Sequence, residues 1–159
     1  MPLPEDRRKL DPSALGYLLL RAFFVQFWLL QWFGKIRDSE SGIVAVKNLA
    51  IWSSHLTAHF VKTTPLPEWT VAPYTLALPW VELALGLLFL LGLWQRAAIL
   101  GAALLLLSLD VGLMLQLKHE DVVHNMLFVF AALLALQWEP QAGTLLSLDG
   151  LRARARARQ

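Results

Sequence analysis

The sequence predicts an all-α polytopic membrane protein: a four-transmembrane-helix bundle with an extra amphipathic helix between spans 1 and 2. Three observations lead there. The 159 residues are 57% hydrophobic and only 16% charged, where a soluble domain is nearer half apolar and a quarter charged. The excess lies in four long runs, and a bilayer core about 30 Å thick needs roughly 20 apolar residues of helix. The polar breaks between three of those runs are very short.

The runs cover 14–33, 75–94, 97–117 and 122–138. Run one follows a basic patch, Arg7-Arg8-Lys9, yet is too long for a cleavable signal and continues Trp32-Phe33-Gly34-Lys35, so it reads as an uncleaved anchor. Only Gln95 and Arg96 separate runs two and three, which predicts an antiparallel hairpin. Lys118-His119-Glu120-Asp121 makes the next turn. Trp32, Trp69, Trp80, Trp94 and Trp138 fall near the expected ends, where indoles favour the membrane interface. Residues 1–139 form one membrane domain, and 140–159 a basic cytoplasmic tail.

Basic residues set the orientation. Arg7, Arg8, Lys9, Arg96, Arg152, Arg154, Arg156 and Arg158 lie on one side; Lys35, Arg37, Lys47, Lys62 and Lys118 lie on the other. The larger group belongs inside, which puts both termini in the cytoplasm. The alternating Arg-Ala tail suits anionic lipid, at about 1 kcal/mol per arginine near the surface. A net charge of +2 gives nucleic-acid binding no support, and the absence of cysteine removes disulfides, thiol exchange and thiolate metal sites.

The one long connection carries an expected amphipathic helix over 42–61. Val46, Leu49, Trp52, Leu56 and Phe60 recur at helical steps, with Asn48, His55, His59 and Lys62 opposite. Such a helix lies on the outer surface or caps the bundle. His55 and His59 have the i, i+4 spacing of two metal ligands, but the metalloprotease glutamate is missing between them, and a solvated polar face is the simpler reading.

An ionisable side chain at mid-membrane costs roughly 2.5–3.5 kcal/mol on insertion scales, so each needs a partner, water or a route to the interface. With a rise of about 1.5 Å per residue, Gln31, Lys35, Glu82, Asp110, His124 and Asn125 fall in one layer roughly 10 Å below the outer edge. The layer reads equally as a ligand or proton site and as polar glue between helices. Arg21 lies in the inner half of span one, with no acid at its depth in a neighbouring span. Snorkelling to the interface is its simplest expectation, and an anionic headgroup or a tail carboxylate the alternative.

Several pieces together resemble the DoxX family of small four-helix inner-membrane proteins. They are Leu20-Arg21, Gly34-Lys35, Glu82 with Gly86, Leu91-Gly92-Leu93, Arg96-Ala97-Ala98 and Ser147-Leu148-Asp149, in that order. The resemblance implies a bacterial inner-membrane location and a subunit or accessory of a membrane oxidoreductase complex. Some members of that family look like subunits of a thiosulfate:quinone oxidoreductase, so a quinone is the cofactor the resemblance allows. The partners are then lipid and a membrane or soluble oxidoreductase subunit. A non-catalytic assembly subunit and a carrier of protons or a small solute are the other readings, and whether the chain is an enzyme stays open.

Overall fold

The computed structural model describes residues 12–38, 42–142 and 147–156. Helix α1 spans Pro12–Ile36, α2 Asn48–Thr63, α3 Glu68–Leu91, α4 Gln95–Leu115, α5 His119–Ala142 and α6 Leu148–Arg156. The only β-type pairing among the described residues is a single antiparallel bridge, Arg37 to Val44. Helices α1, α3, α4 and α5 are each long and apolar enough to cross a membrane. The chain is an all-α, multi-pass membrane protein.

The four spans close into a ring. Helix α1 packs against α3 and α5, α5 against α4, and α3 touches α4 least. Each span buries one stripe and leaves the rest apolar and exposed, as a bilayer requires. On α1 the inward stripe is Ala14, Tyr17, Arg21, Phe24, Trp28 and Lys35, while Leu15, Leu19, Leu30 and Phe33 face out. Large side chains from α1 and α3 (Tyr17, Phe24, Trp28, Phe89) meet small ones from α4 and α5 (Ala98, Ala102, Ala132, Ala135). Close packing of small residues drives association where lipid is as apolar as the core. Gly86 shows the principle: a Cβ there would come within 2.7 Å of the Leu29 side chain.

Several boundaries differ from the sequence expectation. Helix α3 starts at Glu68, seven residues before the expected span, directly after Pro67. Pro73 and Pro79 both lie inside it. Pro79 lies mid-helix and removes the backbone bond that would reach the Thr75 carbonyl. Trp80 is mid-helix rather than at an interface. The α3–α4 turn is Gly92-Leu93-Trp94, with Gln95 already helical. Gly92 (φ 65°) and Trp94 (φ 44°) are left-handed, and the Gly92 N–H donates to Leu88 in a helix C-cap. Helix α5 extends through 142, into the segment expected to be tail.

Helix α2 largely keeps its expected faces: Leu49 is buried, Trp52, Leu56 and Phe60 are half-buried, and His55, His59 and Lys62 are exposed. It begins at Asn48 rather than 42, and its buried residues are Asn48, Leu49, Ser53 and Thr57. Asn48, expected on the solvated face, donates from Nδ2 to the carbonyls of Ile36 (2.8 Å) and Ile43 (3.1 Å). Ser53 and Thr57 place their hydroxyls 3.0 and 2.6 Å from Thr75 Oγ1. Ile51 and Val61 are exposed. The protein-facing side of α2 thus carries hydrogen-bonding groups next to its apolar stripe, because such groups gain by turning inward in lipid. The helix docks on α3 through hydroxyls and also touches α1.

Candidate functional site

The α2 end of the bundle holds a cavity of about 860 Å³ walled by all four spans and α2. Helix α1 contributes Trp28, Gln31 and Lys35, an i, i+3, i+7 stripe on one face. Helix α2 adds Trp52, Leu56, His59 and Phe60; α3 adds Leu78 and Glu82. Helix α4 gives Leu106, Leu109 and Leu113, its C-cap gives Gln116, and α5 gives Asp121, His124 and Asn125. Phe27 and Phe128, with ring centroids 4.9 Å apart, hold α1 and α5 together beside it.

The charged centre of the cavity is an ion pair. Lys35 Nζ donates to Glu82 Oε2, with side-chain exposures of only 9% and 4%. The ammonium also lies 4.8 Å from the centroid of the Trp52 ring. Lys35 is the next-to-last residue of α1, and helical side chains lean toward the N-terminus, which carries its amine down into the bundle. Glu82 is fourteen residues past the start of α3, about 21 Å along it, not the roughly 10 Å expected from a span starting at 75. Two buried ions in contact neutralise each other where either alone would be costly.

Five of the six residues expected in the polar layer line this cavity: Gln31, Lys35, Glu82, His124 and Asn125. Asp110 does not. It is 2% exposed and continues the buried α4 stripe through Ala102 and Leu106. Both its carboxylate oxygens are without a hydrogen-bond partner among the described residues. His59 Nε2 lies 3.2 Å from Gln116 Oε1, tying α2 to the end of α4 across the rim. His55 is exposed and lines no part of the cavity. No group of three His, Cys, Asp or Glu side chains that could hold a metal occurs among the described residues. Trp28 and Trp52 went unmarked in the sequence as site residues. Trp28 is 1% exposed, and its indole N–H has no acceptor among the described residues. The spacing 28–31–35 was the available signal.

Arg21 is at the other end, and it is buried rather than snorkelling. Its Nε donates to the Phe89 carbonyl (2.7 Å) and Nη2 to the Leu90 carbonyl (2.9 Å). It thus serves the last carbonyls of α3, which lack helical partners. The α6 segment docks beside it: Asp149 Oδ2 accepts from the Trp94 N–H at 2.6 Å. Arg96 pairs with Glu139 at 2.7 Å on the surface. Arg152, Arg154 and Arg156 fall within α6, while Arg7, Arg8, Lys9 and Arg158 lie outside the described residues.

A comparison with family sequence models matches residues 13–124, 112 of the 159, to the methylamine utilisation protein MauE family. The chain belongs to the MauE family. No curated protein and no solved structure matches it. Membership corrects the DoxX resemblance, and the fold explains why the motifs misled. Arg21 caps a helix end, Gly86 admits Leu29, and Gly92 makes a left-handed turn. These are capping and packing roles set by local geometry, so leucine, glycine and arginine in that order do not single out one family. Ser147-Leu148-Asp149 lies beyond the region matched to MauE.

Proposed function

We propose that this MauE-family chain is an accessory membrane subunit of an amine-linked oxidoreductase system. It sits in the bacterial inner membrane with both termini cytoplasmic and its α2 end facing outward. The observation carrying this reading is the cavity, because all five helices around it contribute side chains and it holds the buried Lys35–Glu82 pair. The family description supplies the link to methylamine utilisation. With no cysteine in the chain, it carries out no thiol exchange itself. On this reading electrons pass through a partner or a quinone held in the cavity. The residues suit a quinone headgroup: Trp28, Trp52 and Phe60 offer flat apolar walls, and the Trp28 indole N–H is a donor for a ring carbonyl. The excess of basic residues on the side of Arg96 supports the orientation.

Purification in a gentle detergent tests this, with mass spectrometry of bound proteins and lipophilic molecules. The expected result is a copurifying oxidoreductase subunit or a bound quinone, lost on Glu82→Gln while the protein still inserts. A partnerless protein that moves protons or a small solute in liposomes would replace this reading with a carrier.

A further inference from the structure

Lys35 is set apart from the other described lysines. Lys47 and Lys62 are exposed away from the cavity and Lys118 is exposed where it borders it, whereas Lys35 is 9% exposed on the cavity wall. Its amine touches one carboxylate, Glu82, and faces one aromatic ring, Trp52. A lysine in an apolar pocket is the usual form of amine nucleophile toward carbonyl compounds. Such a reaction needs a base to free the amine and an acid to protonate the departing oxygen. A carboxylate already hydrogen-bonded to the amine serves both roles in turn.

Resting on the reading that the cavity receives a ligand, we infer that Lys35 is an imine-forming site for an aldehyde or ketone with an apolar or aromatic body. The proton on the shared hydrogen bond moves from Lys35 Nζ to Glu82 Oε2, leaving a free amine beside a carboxylic acid. The nitrogen lone pair attacks the carbonyl carbon, a C–N bond forms, and the carbonyl oxygen takes the proton from Glu82. The nitrogen returns a proton to the Glu82 carboxylate. That proton then goes to the new hydroxyl, which leaves as water as the C=N bond forms. Nothing is oxidised or reduced, and Glu82 ends ionised. The protonated imine carries the positive charge the ammonium had, so the Glu82 carboxylate and the Trp52 ring face still balance it. The Trp28 indole N–H, two helical turns earlier on the same face of α1, is an unspent donor for the oxygen. The cavity is large enough for a six-membered ring and a short chain.

The test uses the full-length protein in detergent with benzaldehyde or hexanal and cyanoborohydride, which reduces an imine to a stable amine. Peptide mass spectrometry then locates the adduct. The expected result is an adduct on Lys35 that forms at least about tenfold faster than on Lys47, Lys62 or Lys118 and saturates with aldehyde. Glu82→Gln slows it about 100-fold, the scale of general acid–base assistance. Lys35→Arg, which keeps the charge for Glu82 but cannot form an imine, leaves only the slow surface labelling. Labelling spread evenly over the lysines, or slowest at Lys35, overturns the inference, and the wild-type protein alone decides this. A partner complex that survives while Lys35 takes no adduct removes the imine site and leaves the accessory reading standing. An adduct in a protein that binds no partner does the reverse.

Discussion

Replacing Lys35 with Met removes the only cation bonded to Glu82 among the described residues. Both side chains are more than nine-tenths buried, so the remaining carboxylate keeps its desolvation cost without compensation. Breaking a buried pair from one side costs about 3–5 kcal/mol. The lower figure alone is roughly a hundredfold in the folded-to-unfolded ratio. Glu82→Leu is expected to cost a similar amount by stranding the ammonium. Replacing both together removes both charges, and apolar substitutes for a buried pair are commonly neutral. The double variant should then lie within about 1 kcal/mol of the wild type, with a coupling of several kcal/mol between the sites. Equilibrium unfolding in mixed micelles measures all four proteins of the cycle. Single-variant costs below about 1 kcal/mol that simply add would refute the reasoning, since that is how a hydrated surface pair behaves.

Gly92→Ala forces an L-residue into a left-handed turn at about 1–2 kcal/mol and drives its Cβ to 2.6 Å from that of Ser147, so the melting temperature falls. Thr75→Val removes the hydroxyl that Ser53 and Thr57 share, at about 1–3 kcal/mol. Hydrogen exchange should rise in α2 while the lower halves of the spans keep their protection. Asp149→Ala withdraws the acceptor from the Trp94 N–H at the start of α4, at about 1 kcal/mol. Limited proteolysis should then cut near α6 sooner, and unchanged cutting would mean that Asp149 does not hold the segment.

The four spans were legible because about 20 apolar residues in a row have few other uses. Their ends were less so. Helix α3 begins seven residues before its apolar run and continues through Pro73 and Pro79. On the expected polar face of α2 only Asn48 turns inward; it does so beside Ser53 and Thr57, where each finds a hydrogen-bond partner, a pairing that hydrophobic periodicity does not encode. Depth and desolvation cost placed five of the six expected polar residues on the cavity wall without any knowledge of helix rotation. They could not separate Asp110 from the rest, because depth is blind to which side of α4 a residue occupies. The aromatic half of the site, Trp28 and Trp52, carried no cost signal, since indoles are ordinary in spans. The DoxX-like motifs turned out to be packing and capping devices, and the match over residues 13–124 assigned the family instead.

The central claim is that a water-reachable cavity at the α2 end takes an occupant. The chain has no cysteine, so single cysteines can be placed without background. Gln31→Cys and Asn125→Cys line the cavity, and Leu133→Cys on the exposed apolar side of α5 is the control. A membrane-impermeant maleimide should label both cavity positions in reconstituted protein, slow several-fold in native membranes that hold the partner, and leave the control unlabelled throughout. Cavity cysteines as silent as Leu133→Cys, or equally reactive in both settings, would contradict the account.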